Sequence, residues 1–435
     1  MKRLTLLAVA LVMVLGMAVS ASAAPEVTIS GNVLVNAIWK SNWDFTKNSS
    51  NKAMEIRQRA DLYFTATANE NLKAVIGLRS VKGTWGQGEY DNDTAGSGTN
   101  STLSFRDVYI DYNWPGTEVN IKTGLYNVAL PTAVGGGSQI MAGRVGAMMV
   151  SAPLTENVSV LGGYARVTDN DTEALTQASN DMDYLDAYIL ALPVSLEGVS
   201  FSPYVAYGNG GQNYNGGTGD EINAYWIGSD FTMNMFDPFV LKADLAYGNM
   251  DAETDASEAN GWWFDVALDY TGFDFATMSA YFVYTSGSDD DTSDGAEAMP
   301  VIQSDWAVGS FFFGGGGITS DDINGGDTQL GYWILGFSAT DIQSFAEGLT
   351  HDFHVLYAKG TNDDALADNT ITLGAGLTDK DSLWEVDFNT MYQIYDELTL
   401  YTQIGYINAD YDDDTWAADL QDDAWKFATG MVYQF

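Results

Sequence analysis

The chain has 435 residues, with 59 Asp+Glu against 18 Lys+Arg, two His and no Cys, for a formal net charge of −41. So acidic a chain lacks the cationic surface that displaces counterions from a nucleic acid, and at 46% hydrophobic and 13% aromatic it is too apolar for a disordered acidic tail. Without Cys there is no disulfide framework, no thiol nucleophile and no Cys-ligated zinc or iron–sulfur site.

At the start, Met1-Lys2-Arg3 is a short cationic segment and Leu4 to Val19 is almost wholly apolar. Ala21-Ser22-Ala23 then supplies small residues at the −3 and −1 positions of a cleavage site. The pattern predicts a secretory signal peptide over 1–23 and a single domain over 24–435. No later run of 18 apolar residues exists, so any membrane span must be made of strands.

Val27, Ile29, Val33, Val35, Ala37 and Trp39 alternate with Thr28, Ser30, Asn32 and Asn36. Met54, Ile56, Ala60, Leu62, Phe64 and Ala66 do the same against Glu55, Arg57, Arg59, Asp61, Tyr63 and Thr65, as do Trp384, Val386 and Phe388 against Glu385, Asp387 and Asn389. A period of two, not 3.6, predicts strands with one oily and one wet face. These runs exceed the five or six residues common in soluble sandwiches.

Short turns at Asn69-Glu70-Asn71, Trp114-Pro115-Gly116-Thr117, Thr155-Glu156-Asn157, Ser195-Leu196-Glu197-Gly198 and Asp396-Glu397-Leu398 alternate with long polar segments. The long ones include 83–101, 168–183, 208–221, 251–260, 287–327, 361–382 and 410–423. That asymmetry belongs to outer-membrane barrels, with tight periplasmic turns and long external loops. The count is 18 strands, or 16 depending on how 287–327 and 361–382 divide; Ile371 to Ala375 reads as strand or loop. Tryptophans near strand ends (Trp39, Trp43, Trp85, Trp114, Trp262, Trp263, Trp333, Trp384, Trp425) suit girdles at the two bilayer interfaces. In the last strand Trp425, Phe427, Met431, Tyr433 and Phe435 occupy every second position, with Thr429 interrupting. A terminal aromatic closing such a strand resembles the sorting signal read by the outer-membrane barrel assembly machinery.

Signal peptide, long alternating strands and terminal Phe435 together resemble the bacterial trimeric outer-membrane porins. The segments Leu377-Thr378-Asp379-Lys380-Asp381-Ser382-Leu383-Trp384-Glu385-Val386-Asp387, Tyr395-Asp396-Glu397-Leu398-Thr399-Leu400 and Gly405-Tyr406-Ile407 are most similar to the homotrimeric porins of sulfate-reducing Gram-negative bacteria. The resemblance implies a homotrimer in an outer membrane, facing outer-leaflet lipopolysaccharide, each copy with its own water-filled pore. It also implies that the third long loop folds inward.

By position that loop is Val128 to Gly146, which has no Asp or Glu and a single base, Arg144. Its glycines Gly135, Gly136, Gly137 and Gly143 allow close packing on an inner wall; the other reading is an ordinary surface loop. Of the 16 Lys and Arg beyond residue 23, 12 fall between Lys40 and Arg166. Arg57, Arg59, Lys73, Arg79 and Lys122 fall on wet faces there, and Asp265 and Asp269 on a wet face halfway round a closed barrel. These charges, with Arg144, are the candidate constriction residues; alternatively they pair locally along the wall. Facing charges in a narrow pore act on passing ions more strongly than in bulk water. Wet-face Tyr63, Tyr109, Tyr126, Tyr184 and Tyr188 are candidate stacking groups.

No catalytic, cofactor or metal site is expected. His351 and His354 are three apart and so point to opposite strand faces, and Gly314 to Gly317 lacks the Lys-Ser/Thr of a P-loop. The acidic runs Asp289-Asp290-Asp291, Asp321-Asp322 and Asp412-Asp413-Asp414 read as solvated loop surface. The expectation is an all-β, closed antiparallel transmembrane barrel for passive diffusion of small hydrophilic solutes and ions. The alternatives are a substrate-specific channel and a non-conducting structural or adhesive barrel.

Overall fold

The computed structural model describes residues 25–47, 52–80, 83–85, 103–169, 184–211, 221–291, 293–314, 331–417 and 419–435. The signal-peptide segment, Asp321-Asp322 and the glycines after Gly314 lie outside them, as do most of the long segments 83–101, 168–183 and 208–221. Among the described residues the strands are β1 Glu26–Ser41, β2 Lys52–Asn69, β3 Leu72–Ser80, β4 Leu103–Asn113, β5 Asn120–Ala129 and β6 Ala142–Pro153. Next come β7 Ser159–Asp169, β8 Tyr184–Ala191, β9 Val199–Gly210, β10 Ile222–Phe236, β11 Phe239–Ala252 and β12 Ala259–Phe273. The last are β13 Ala276–Thr285, β14 Tyr332–Gln343, β15 Leu349–Gly360, β16 Ser382–Tyr395, β17 Leu398–Asp410 and β18 Asp423–Gln434. Gly83–Thr84 continues β3 against β2, and Val194–Leu196 continues β8 against β9. The result is a closed, antiparallel barrel of 18 strands rather than 16.

Each strand pairs with its neighbour in sequence, and β1 pairs with β18 from Asn32↔Gln434 to Ser41↔Trp425. Beyond that register the Gly31 N–H donates to the Phe435 carbonyl at 2.9 Å, and the Phe435 N–H returns to Gly31 at 3.1 Å. The terminal residue is thus part of the seam. Turns of two to six residues mark one end, from 70–71 to 114–119, and all long connections lie at the other. Residues 371–375 form turns, with a single bridge from Ile371 to Ala367, and are loop.

Side chains alternate across the pleat, so one face of every strand is outside. Outward positions carry Ile29, Ile110, Met148, Leu190, Val205, Ile227, Leu245, Leu335 and Phe427, all exposed, which suits contact with lipid. Towards the long-loop end, rings pair along the outside: Tyr188 with Tyr207 at 6.1 Å, Tyr247 with Trp262 at 4.7 Å, Tyr357 with Trp384 at 5.1 Å and Tyr406 with Trp425 at 4.4 Å. A second set, Phe239–Tyr270 at 5.1 Å and Tyr433–Phe435 at 5.9 Å, stands at the short-turn end. Two aromatic belts result. Adjacent Trp262 and Trp263 are split by the pleat: Trp262 is exposed, Trp263 fully buried within. Tyr188, expected on the wet face, shares the outward face with Leu190, and Tyr184 follows the same alternation.

The inner wall is unusually small where it must be covered. Register aligns Gly124, Ala147, Ala165, Ala187, Gly208 and Ala224 across β5 to β10. The four alanines belong to the same buried apolar cluster as Ile140, Met141 and Trp306, residues of the connections. Small inward side chains leave room for chain inside the barrel; larger ones would fill it.

A lysine in place of Leu245, near the middle of the outer apolar band, is expected to destabilise the barrel by about 2–4 kcal/mol in lipid. Urea unfolding in phospholipid vesicles measures it. A loss no larger than that of Leu245→Ala would contradict a lipid-facing position.

Candidate functional site

Two connections lie against the inner wall. The first, 130–141, joins β5 to β6; it is shorter at both ends than the expected Val128–Gly146, because pairing of β5 with β6 continues to Ala129↔Ala142. Its backbone is held by a carboxylate of β11: Ala133 and Val134 N–H groups donate to Asp244 at 2.8 and 2.9 Å, and Thr132 Oγ1 at 3.1 Å. Gln139 Nε2 donates to Asp265 of β12 at 3.3 Å, beside the Trp263 Nε1–H at 2.9 Å. Gly135 and Gly137 sit at φ of +72° and +80°, the left-handed region, and a Cβ on Gly137 would collide with Asp305.

The second segment comes from the long β13–β14 connection. Gly136 and Ala307 exchange backbone hydrogen bonds of 2.8 Å, Ser138 N–H donates to Asp305 at 2.8 Å, and Trp306 Nε1–H donates to the Val134 carbonyl at 3.2 Å. Burial pushes the Asp305 carboxyl above its ordinary value, against the lowering effect of the Ser138 N–H. Further along, Glu385 of β16 accepts from the N–H groups of Phe311, Phe312 and Phe313 at 3.0, 2.9 and 3.1 Å. Asp387 accepts from Ser310 N–H at 2.7 Å, and the Lys426 ammonium of β18 donates to the Ser310 carbonyl. The three phenylalanines are at most 1% exposed. Burying each is worth about 1.5–3 kcal/mol, so the segment is both bonded and packed in place.

The basic wall occupies β2 to β5. Arg79 makes two bonds of 2.5 Å to Asp61, which is 3% exposed. Arg59 Nε lies 3.8 Å from the same carboxylate, and Arg106 is close enough to feel its field. Two guanidiniums therefore share one acid, and a third, Arg106, adds its charge nearby. The Nε atoms of Arg59 and Arg106 are buried without a hydrogen-bond partner among the described residues. Arg57 pairs with Glu55 at 2.6 Å. Lys73 reaches Asp111 at 3.2 Å, and the Lys122 ammonium lies over Tyr109 and Tyr126, 4.2 and 4.3 Å from the ring centroids.

The expected residues thus stand on two walls. Arg57, Arg59 and Arg79 are on β2 and β3, and Asp265 and Asp269 on β12, half of the 18 strands away. They do not touch across the lumen: Asp265 is covered by Gln139, and Asp269 is paired with Lys242 at 2.9 Å. Arg144 belongs to β6, not to the connection, and alternates with exposed Met148 and Val150, its Nε 3.5 Å from Asp107. Arg106, missed in the sequence, is the extra residue of a bulge between Gly77↔Asp107 and Leu78↔Phe105. Its trace is the three-residue step between the outward Phe105 and Val108. The role of Glu385 and Asp387 as anchors was also missed; the run Phe311-Phe312-Phe313 in an acidic connection was its signal, since such a run demands burial.

No family model matches the chain, and no curated protein matches its sequence. Solved structures do match it in shape. OccAB4 of Acinetobacter baumannii aligns at a TM-score of 0.57 and 10% identity, over 96% of this chain and 100% of that one. OccK8 (OprE) of Pseudomonas aeruginosa aligns at 0.55 and 13%, over 94% and 98%. OprD of Pseudomonas aeruginosa aligns at 0.52 and 12%, over 94% and 95%. The fold is that of the OprD/Occ porins. Identity this low carries the architecture and not the lining residues.

Replacing Glu385 by Leu would leave the N–H groups of Phe311 to Phe313 without their acceptor. At about 1–3 kcal/mol per unpaired buried group, amide exchange over 310–313 should accelerate roughly 10- to 100-fold, with strands β16 and β17 unaffected. Hydrogen–deuterium exchange in detergent reads this directly.

Proposed function

We propose that the chain is a channel of a Gram-negative outer membrane, passing small hydrophilic solutes and ions by diffusion through a lumen narrowed by segments 130–141 and 300–313. It does no covalent chemistry. The observation that carries this reading is the division of labour on the inner wall. Asp244, Asp265, Glu385 and Asp387 are occupied by the two inserted segments, whereas among the described residues Arg59 and Arg79 share Asp61, with Arg106 nearby. The constriction therefore presents net positive charge although the whole chain is strongly acidic. Two ordered segments inside one barrel, both pinned to wall carboxylates, favour a solute-selective channel over a wide general sieve. The similarity in fold to OprD and the Occ channels supports the same reading.

The barrel closes within one chain, so the lumen is complete in a single copy. The trimer implied by the porin resemblance is not required for conduction. The acidic outer connections, including Asp412-Asp413-Asp414, concentrate cations at the mouth at low salt.

Reversal potentials across a planar bilayer test the charge pattern. In molar KCl, where the screening length is about 3 Å, the mouth is silenced and the constriction alone should favour Cl⁻. The double variant Arg59→Ala/Arg106→Ala should lose that preference. Strong cation selectivity of the wild type in molar salt would overturn the basic constriction, and absence of any conductance would overturn the channel.

A further inference from the structure

A cavity of about 370 Å³ lies on the inner wall of β11 to β15, under the two inserted segments. Register sets Thr277 opposite Thr340 and Ser279 opposite Ser338, so β13 and β14 present a block of four hydroxyls on one face. On one flank Asp269 stands opposite Ser279 and is paired with Lys242 at 2.9 Å. On the other flank His354 shares a hydrogen bond of 2.7 Å with Ser338. The roof is backbone, Gly135-Gly136 from one segment and Val308-Gly309 from the other. It is fixed by the Tyr281 hydroxyl, which donates to the Val308 carbonyl at 3.3 Å. Lys242 and Asp269 lie nearer the short turns than Asp244 and Asp265. The cavity is therefore on the short-turn side of the clamp that holds 130–141.

The chemistry of this lining is specific. Each hydroxyl donates one hydrogen bond and accepts two; the carboxylate only accepts and the ammonium only donates. The Lys242–Asp269 pair cancels its own charge, and a second carboxylate of the lining, Asp341, disfavours an anion, which leaves the hydroxyl block to choose the solute. A neutral molecule with several hydroxyls, each both donor and acceptor, matches the whole set. The volume falls at the lower end of the roughly 300–1,000 Å³ typical of small-molecule sites, enough for one sugar ring.

We propose that this cavity binds a neutral polyhydroxylated solute, a sugar or sugar alcohol, on the inner side of the constriction. The proposal rests on the channel reading and names its solute class. Titration calorimetry of the detergent-solubilised full chain with glucose, gluconate and arginine tests it, with planar-bilayer conductance measured in parallel. Saturable glucose binding is expected, tighter than that of either charged probe. It should weaken tenfold or more in Lys242→Gln/Asp269→Asn and, separately, in Ser279→Ala/Ser338→Ala. Heat-dependent gel migration verifies that each variant barrel is folded. No glucose binding, tighter binding of gluconate or arginine, or undiminished binding in both folded variants would overturn the site. Conductance without glucose binding would sink this proposal and leave the channel; glucose binding without conductance would do the reverse.

Discussion

A backbone amide facing hydrocarbon has no water to bond, and this requirement governs the rest of the molecule. The 18 strands satisfy it by pairing each with the next and the last with the first. The seam holds to the final residue, where Gly31 and Phe435 exchange both backbone bonds. Closure leaves no edge, and it divides every strand into an outer and an inner face. The outer face has one task, to be apolar between two aromatic belts. The inner face is released from that task, which is why charges and alanines can stand there side by side.

The inner face uses this freedom unevenly. Around β5 to β10 it is small, and the inserted segments pack against it. Around β11 to β16 it is acidic, but its carboxylates act as acceptors for backbone N–H groups of those segments. An acid that accepts two or three such bonds is a fastening rather than a free charge. Around β2 to β4 the wall is basic and only partly compensated. Net charge of the chain is thus a poor guide to the pore: many of the 59 acids lie in outer connections, and several within are spoken for.

The barrel was legible because its physics is periodic. A strand with lipid on one side must repeat every two residues, and turns without lipid contact need not be long. Runs such as Met54 to Ala66 and the terminal Trp425 to Phe435 state this without help from neighbours. The pore was less legible because it depends on contacts distant in sequence. Glu385 to Phe312 spans 73 residues, and nothing local in Leu383-Trp384-Glu385-Val386 distinguishes a fastening acid from a solvated one. Alternation also misled where it was broken or balanced. The bulge at Arg106 shifted the phase, and Tyr188, as much at home in an aromatic belt as in a lumen, was assigned to the wrong face.

For the channel proposed above, the two walls have different consequences for a passing solute. The arginine wall acts over several ångströms on any ion, because Arg59 and Arg79 around one carboxylate, with Arg106 nearby, leave a field that extends into the bore. The hydroxyl block of β13 and β14 acts only at contact and only on a solute that can complete its hydrogen bonds. A field sorts by charge and is weakened by salt; a contact site sorts by shape and bonding and is not. Thr277, Ser279 and Lys242 stand only a few residues from their short turns, whereas Arg59 and Arg79 stand further from theirs, so the contact site lies nearer the short-turn end than the arginine wall. In the proposed channel a solute entering from the long-loop end therefore meets the field first and the hydroxyls second.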